Sequence, residues 1–365
     1  MTIYLIQVFT IGFLGLLIHP DMSEKRKRDF LFYVFLILTI VSGIRAYSVG
    51  ADTRNYVNMF NSTDYIGILN TRIEMGFMTY LKILHGISDN PGILLFTSSI
   101  ICVGSACLFT YQFSKNCVMS MMLYVLMGSY FGQMNTMRQA IALSISEIAF
   151  MLIISNHGGI RRKIASAILI LLATSIHAIA AVEFVPYALI IRSNEEENTG
   201  ITVGKTLFRA FGFAVIGFVG YSVIMTVVIR LLPTYAYYFR NSQWSDSNYN
   251  AALFNTLISA VFALAGAYVF RNKELNNIQR FAAIMIGFSI IFNVLSMRME
   301  IWNRLAGMFS IYTNLLWVSE FTSEVHSAKD RWILNSCIIL FALAYMLIIL
   351  IFRPEWTQVV PYMVR

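Results

Sequence analysis

The chain has 365 residues, of which 58% are hydrophobic and 13% are charged, about half the charged fraction of a typical soluble domain. This composition excludes a water-soluble globular fold and indicates a polytopic membrane protein. The formal net charge of +8 does not indicate nucleic-acid binding, because the cations lie at the ends of apolar runs, where they orient helices in a bilayer.

Apolar segments that could cross the hydrocarbon core recur along the whole chain. They predict an all-α protein with a single transmembrane domain over residues 1–365 and about 10–12 transmembrane helices. In chain order, the predicted segments lie near residues 3–18, 30–46, 92–113, 117–133, 138–156, 163–176, 178–191, 207–231, 251–270, 278–297, 303–321 and 332–352. The two segments beside His177 are short, so they form either two half-length helices or one broken, re-entrant element.

The distribution of cations predicts the orientation of the chain. No Lys or Arg precedes the first apolar run, so we expect it to remain as a membrane helix with its N-terminus outside. Seven of the eight lysines then lie at the inner face, as the positive-inside rule requires, whereas ten arginines and one lysine lie outside. Because the planar arginine fork suits phosphate, the outer arginines are the first functional signal.

Two longer segments are predicted to lie outside. Residues 45–91 are expected to form an outer loop with short interfacial helices, the first of them capped by Asp52 and Thr53. Residues 232–250 form the second outer loop, which is rich in Tyr, Asn, Ser and Trp. That composition suits either sugar binding or an aromatic belt at the membrane interface.

The four cysteines at positions 102, 107, 117 and 337 lie in or beside apolar runs. Their spacing fits neither a zinc site nor a disulfide framework, so we interpret them as small core residues.

Several polar residues cluster at the predicted outer ends of helices. Four polar residues at the outer end of the second segment predict a rim that binds an anionic headgroup bearing sugars: Arg45, Asp52, Arg54 and Tyr56. The alternative is that Arg45 extends its charge to the interface and that Asp52 only caps a helix.

Arg138 and Gln139 open a helix at the same face, where free N–H groups and the helix dipole favour an anion. A lone interfacial arginine is the alternative interpretation.

His177 lies between two apolar half-helices, where a titratable side chain is costly and therefore a functional candidate. Its imidazole could act as a general base for a sugar hydroxyl, or it could be a packed core histidine. Glu183 could orient it or belong to the core. Arg298 and Arg304 lie in a later outer turn, and Glu300 has the four-residue spacing of an ion pair with Arg304.

In their order and spacing these segments resemble the EpsG-like branch of Wzy-type polysaccharide polymerases. The residues that carry the resemblance are Arg45, Val49–Thr53 and Tyr56, then Glu74–Phe77, Met137–Ala142, Ser175–His177 and Arg304. Each motif is short, but the ordered set extends across most of the chain.

The resemblance implies a membrane-embedded C-type glycosyltransferase in the bacterial cytoplasmic membrane. Such an enzyme polymerises undecaprenyl-pyrophosphate-linked oligosaccharide repeat units into a surface polysaccharide at the outer face. Both its donor and its acceptor are lipid-linked, and a flippase and a chain-length regulator are the partner proteins implied. The alternatives are a flippase that transports the same lipid-linked sugar and a ligase that transfers the glycan to another acceptor, with an acyltransferase more remote.

The resemblance and the residues together assign roles within this site. His177 is the predicted catalytic base, with Asp52 and Glu74 in reserve. Arginines and neighbouring polar residues are predicted to bind pyrophosphate and sugar: Arg45, Arg54, Tyr56, Arg138, Gln139, Arg298 and Arg304. We expect no metal and no cofactor, because no outward carboxylate cluster has magnesium-like spacing and arginines can stabilise the leaving group.

Overall fold

The computed structural model describes residues 1–17, 23–63, 73–154, 159–195, 202–231 and 248–365. The described residues form helices and contain no β-strand; an isolated antiparallel bridge joins Arg45 to Val364. The predicted all-α class is therefore confirmed. Most of the predicted second outer loop, residues 232–247, lies outside the described residues.

In chain order, the α-helices and the two other helical turns have the following bounds. They are α1 Thr2–Leu17, α2 Glu24–Gly43, α3 Thr53–Asn61, α4 Met75–His85, α5 Gly92–Phe113, α6 Cys117–Leu126, α7 Ser129–Asn135, α8 Met137–Ile154, α9 Ile160–Ile176, a 3-10 turn Ala178–Glu183, α10 Phe184–Glu195, α11 Val203–Val219, α12 Tyr221–Leu231, α13 Tyr249–Val269, α14 Asn277–Ser296, α15 Ile301–Tyr312, a π turn Thr313–Trp317, α16 Val318–Ser323, α17 Ala328–Phe352 and α18 Pro354–Thr357.

Five of these helices, α5, α8, α13, α14 and α17, are long and apolar enough to cross a membrane. Two bent pairs, α6 with α7 at 48° and α11 with the first part of α12 at 78°, raise the number among the described residues to seven. Fewer helices pass this test than the 10–12 predicted. One reason is that α1 has 16 residues and α9 has 17, and another is that α2 begins with the charged run 24–29. The chain is a multi-pass membrane protein.

Side-chain caps fix the start of some of the helices. Ser23 accepts a hydrogen bond from the Arg26 N–H at the start of α2, and Asn116 accepts one from Met119 at the start of α6. The predicted helix near Arg54 is α3, with Asp52 at its N-cap position, but the Asp52 side chain makes no capping hydrogen bond.

The chain divides into two compact units, residues 1–191 with 327–365 and residues 192–326. In the first unit, α2 packs on α5, α5 on α8, and α8 on α9. A Cβ at Gly43 would contact Phe96 at the start of α5, whereas Lys27 Nζ donates to Ser114 O, 3.2 Å away, at the other end. We call the end of this unit that holds Gly43 and Phe96 the site end.

The first and last segments of the first unit also meet at the site end. The Tyr4 hydroxyl donates to Val359 O at 3.0 Å, and the Ala46 N–H donates to Met363 O at 2.8 Å. The basic run 25–28 lies at the opposite end of α2 from these contacts. The site end is therefore the end of α2 that lies away from the basic run.

Cysteine burial follows the prediction in part. Cys102, Cys107 and Cys117 are buried and free, as expected for small core residues. Cys337 is exposed on α17, so its interpretation as a core residue was wrong. Helix α17 is apolar on all sides, and hydropathy therefore does not distinguish its packed face from its exposed face.

In the second unit, α14 packs against α11, α13 and α15. The π turn places Trp317 in the core, where its Nε1 donates to Phe262 O at 2.8 Å. The indole lies directly against Gly266 of α13, in space that a Cβ at that position would need. A glycine is therefore required for this close approach.

We predict that Gly266→Ala destabilises the protein by about 1–3 kcal/mol, because the buried indole cannot yield to the new methyl group. The matched control is Gly212→Ala in α11, where no atom lies within 4 Å of the added Cβ. Thermal unfolding in detergent should show a lower Tm for the first variant and an unchanged or slightly higher Tm for the second. Equal Tm values would contradict the proposed packing.

Candidate active site

Three chain segments meet at the carboxylate of Glu74, at the site end of the first unit. Glu74 Oε2 forms an ion pair with Arg138 Nη1 at 2.6 Å, and Oε1 lies 3.1 Å from His177 Nδ1. The backbone N–H of Ala178 also donates to Oε1 at 2.9 Å. We call Glu74, Arg138, His177 and the Ala178 N–H the Glu74 network.

Helix boundaries place each member of the network. Glu74 directly precedes α4, and Arg138 lies in the first turn of α8. His177 ends α9 in an extended conformation (φ −149°, ψ 117°), and the 3-10 turn follows it. The predicted break at His177 is therefore present, and it frees the Ala178 N–H to bind the carboxylate.

A close contact between α4 and α9 brings Glu74 to the break. A Cβ at Gly76 would collide with the side chain and backbone of Ser175, two residues before His177. Glycine at this position lets the start of α4 approach the end of α9. The motif residues Gly76 and Ser175 thus support the network through packing.

A pair of aromatic side chains lies next to the Glu74 network. The Phe77 ring packs edge-on against Tyr56, with centroids 5.9 Å apart, and the Arg138 guanidinium lies 5.8 Å from the Phe77 centroid. Tyr56 is only 7% exposed and belongs to the hydrophobic core. The structure therefore places Tyr56 in the core against Phe77 and not at an exposed rim.

The network fixes the protonation state of Glu74. Burial disfavours the ionised carboxylate, but hydrogen bonds from His177 and Ala178 and the charge of Arg138 outweigh this effect. The pKa of Glu74 therefore falls from the ordinary value of 4.5 to about 2. An ionised carboxylate beside Nδ1 favours the tautomer with the proton on Nδ1, so Nε2 carries the basic lone pair.

The network residues are partly accessible. The exposed side-chain fractions of Arg138, Glu74 and His177 are 20%, 19% and 15%. Gln139, the other predicted residue of this turn, is buried. The geometry therefore places a guanidinium and an imidazole side by side, both partly accessible at the site end.

Arg45 does not lie at the predicted rim but inside the protein. Its side chain is 2% exposed, and it donates to backbone carbonyls of Ser42, Val49 (3.3 Å) and Met134 (3.4 Å). These contacts join the end of α2, the following loop and the end of α7. Arg45 is therefore an internal brace, because its donors are used within the protein.

Asp52 and Arg54 lie apart from the network. Asp52 is half-buried and accepts a hydrogen bond from Asn55 Nδ2 at 3.5 Å, and Arg54 is exposed. No ion pair or hydrogen bond among the described residues joins either one to Glu74. Of the two reserve carboxylates, only Glu74 contacts the histidine.

Arg298 and Arg304 belong to the second unit. The Arg298 guanidinium lies 4.1 Å from the centroid of the Phe218 ring, and Arg304 is half-buried in α15. Glu300 accepts a hydrogen bond from Asn303 at 3.0 Å. The role of both arginines in binding substrate remains a prediction.

Some contributors were missed by the sequence reasoning. The Ala178 N–H binds Glu74, and Asn135 Oδ1 accepts from the Ala51 N–H at 2.8 Å, which ties the loop after α2 to the end of α7. A helix break signals a free N–H, but no pattern specifies its partner. Glu183 is fully buried and is not the carboxylate that contacts Nδ1 of His177.

A metal site is not evident in the part of the chain that the structure describes. No group of three or more His, Cys, Asp or Glu side chains there is arranged to hold an ion. Independence from metals remains a prediction.

The fold and the network together define a polytopic membrane protein with a cluster of one carboxylate, one guanidinium and one imidazole at one end of a helical unit. The profile of the EpsG family matches residues 29–364, nearly the whole chain, and the protein therefore belongs to the EpsG family. Membership makes it a membrane protein of the polysaccharide-polymerase type. Comparisons with curated proteins and with solved structures gave no match.

We predict a pH-dependent contribution of Glu74 to stability. Because its pKa is depressed, this contribution is complete above pH 4.5 and is lost as the pH falls towards 2. The Tm difference between the wild type and Glu74→Gln should therefore narrow between pH 4.5 and 3. Glu355→Gln, at an exposed position, serves as the control. A Tm difference that does not change over this range would contradict the network.

Proposed function

We propose that this protein is a membrane glycosyltransferase that polymerises undecaprenyl-pyrophosphate-linked repeat units into a surface polysaccharide. The observation that carries the proposal is the Glu74 carboxylate shared between Arg138 and His177. Glycosyl transfer from a lipid pyrophosphate needs a base for the acceptor and a cation for the leaving group, and this network supplies both.

His177 is the base in this mechanism. The acceptor hydroxyl attacks the anomeric carbon of the donor and gives its proton to His177 Nε2, while the bond to the pyrophosphate oxygen breaks. Glu74 holds Nδ1–H at 3.1 Å and stabilises the imidazolium that forms. The lipid pyrophosphate leaves with the electron pair of the broken bond.

Arg138 stabilises the leaving group. Glu74 contacts only Nη1 of this guanidinium, which has five N–H donors in all. Arg138 also lies in the first turn of α8, where the helix dipole favours negative charge. The charge that develops on the pyrophosphate is therefore met by a fixed cation and a helix N-terminus.

The proposed reaction takes place at the outer face of the bacterial cytoplasmic membrane. The positive-inside rule assigns the basic run 25–28 to the cytoplasm. That run lies at the opposite end of α2 from the site end, which supports an outward-facing network. A repeat unit already moved across the membrane would meet the site there.

We predict that purified wild-type protein, supplied with a lipid-pyrophosphate-linked repeat unit, forms a ladder of longer glycans. His177→Gln should lower the rate by about 10²–10⁴, the usual contribution of a general base. Arg138→Ala should lower it by about 10²–10³, as for the loss of one preorganised electrostatic donor. Quantifying the ladder over time measures both.

The matched controls are His326→Gln and Arg161→Ala, which change an exposed histidine and an exposed arginine away from the network. Both should retain the wild-type rate. Ladders that survive His177→Gln and Arg138→Ala would contradict the mechanism. Movement of labelled lipid across sealed vesicles without elongation would instead indicate a flippase, and transfer only to a different acceptor would indicate a ligase.

A further inference from the structure

We propose that a depression at the site end binds the isoprenyl pyrophosphate of the acceptor substrate. It has a volume of about 390 Å³, and the residues that line it are Ile44, Tyr47, Asn90, Val364 and Arg365. The inference rests on the proposed function, because a polymerase of this kind binds two lipid-pyrophosphate-linked substrates together. None of these residues belongs to the Glu74 network.

Arg365 is held in place as the cation of this depression. Its Nη2 donates to Gly43 O at 2.9 Å, its backbone N–H donates to Ile44 O at 3.1 Å, and its guanidinium lies 5.7 Å from the Tyr47 ring centroid. The guanidinium also occupies the space that a Cβ at Gly92 would fill. The orientation of the Arg365 guanidinium is thus set by these contacts and by the glycine at position 92, which has no side chain.

The charge of Arg365 is not neutralised by an acidic side chain among the described residues. Asp89, the acidic residue that precedes Asn90, lies 3.9 Å from His85 Nε2. Asn90 Oδ1 accepts from the Gly92 N–H and from the Tyr47 hydroxyl, which leaves the Asn90 amide as a donor. A fixed guanidinium beside an amide donor suits a phosphate oxygen.

The remaining lining is apolar and favours a lipid-borne phosphate over a free one. Val364 is 58% exposed, and the neighbouring Met363 is exposed as well. Together with Ile44 they border the cation with aliphatic surface. An isoprenyl chain would cover this surface while its pyrophosphate meets Arg365, whereas inorganic pyrophosphate would leave it exposed to water.

The chemistry of the proposed reaction requires a second such site. The donor loses its lipid pyrophosphate during transfer, but the acceptor keeps its own, so two pyrophosphates are bound at once. Arg138 serves the first. The loop that follows α2 connects the two places, since Ala46 bonds to Met363 beside the depression and Ala51 bonds to Asn135 near the start of α8.

A binding experiment tests the site without relying on activity. Farnesyl pyrophosphate is titrated against full-length Arg138→Ala protein in nanodiscs of neutral lipid, so that the network contributes little to binding. Adding Arg365→Gln should weaken binding at least about tenfold through the loss of a charged hydrogen-bond donor, whereas adding Arg365→Lys should preserve most of it. Gly92→Ala, which displaces the guanidinium but keeps its charge, should also weaken binding.

The control is Arg353→Gln, which changes an exposed arginine outside the depression. Equal affinity of Arg365→Gln and Arg353→Gln for farnesyl pyrophosphate would overturn the site. Inorganic pyrophosphate that binds as tightly as the farnesyl compound would overturn the lipid assignment. Phosphatidylglycerol that competes with farnesyl pyrophosphate at the same affinity would also overturn the lipid assignment.

A kinetic experiment tests the acceptor role. The terminal sugar hydroxyl of the donor is blocked, so the donor cannot serve as an acceptor. The acceptor has a phosphonate in place of its leaving group, so it cannot serve as a donor. Arg365→Gln should raise the KM for this acceptor about tenfold, with little change in kcat or in the KM for the donor. It should not affect a free oligosaccharide acceptor, a difference that a general loss of structure would not produce.

The outcomes separate the two proposals. A raised KM for the donor alone would overturn the acceptor assignment and leave the polymerase intact. If the wild type forms no ladder but farnesyl pyrophosphate binding still depends on Arg365, the proposed function fails and the lipid-pyrophosphate site stands. Loss of the ladder in Arg138→Ala together with an unchanged acceptor KM in Arg365→Gln would support the mechanism and reject the depression as the acceptor site.

Discussion

The Glu74 carboxylate is ionised and about four-fifths buried, and a charge in such a position must be compensated by nearby donors. Its compensation comes from three places: the first turn of α8, the end of α9 and the N–H that follows it. These partners lie 64, 103 and 104 residues from Glu74 along the chain. The carboxylate therefore holds together segments that local structure alone would not bring into contact.

The same constraint explains three features around Glu74: a glycine, an aromatic residue and a break in a helix. Gly76 permits the approach of α4 to α9, and the Phe77 ring lies next to the Arg138 guanidinium. The extended conformation of His177 interrupts the helix, which makes a backbone donor available at the carboxylate. The glycine and the helix break would each destabilise an isolated helix, but here each permits a contact with the Glu74 segment.

The sequence predicts the helical class well, because apolar length is a strong signal in membrane proteins. It also indicates the break at His177 and names Glu74, Arg138 and His177 as candidates. It does not rank Glu74 above Asp52, because both carboxylates lie in the same predicted loop, residues 45–91, and only tertiary packing decides which one reaches the histidine. Arg45 and Tyr56 were expected at a rim, but burial depends on neighbours distant in sequence, such as Met134 and Phe77.

At the site end, Arg45, Arg138 and Arg365 each use the planar guanidinium to contact more than one group. Arg45 binds three carbonyl groups at once, Arg138 combines an ion pair with an aromatic face, and Arg365 combines a carbonyl with the Tyr47 ring. A lysine ammonium has no planar fork to satisfy several fixed acceptors in this way, and it is more strongly hydrated. Lys27, near the other end of α2, makes one hydrogen bond, to Ser114 O. The choice of arginine at positions 45 and 138 therefore follows from geometry as much as from charge. An Arg-to-Lys change at Arg45 or Arg138 would keep the net charge of +8 but lose the shape that holds the loop and the network in place.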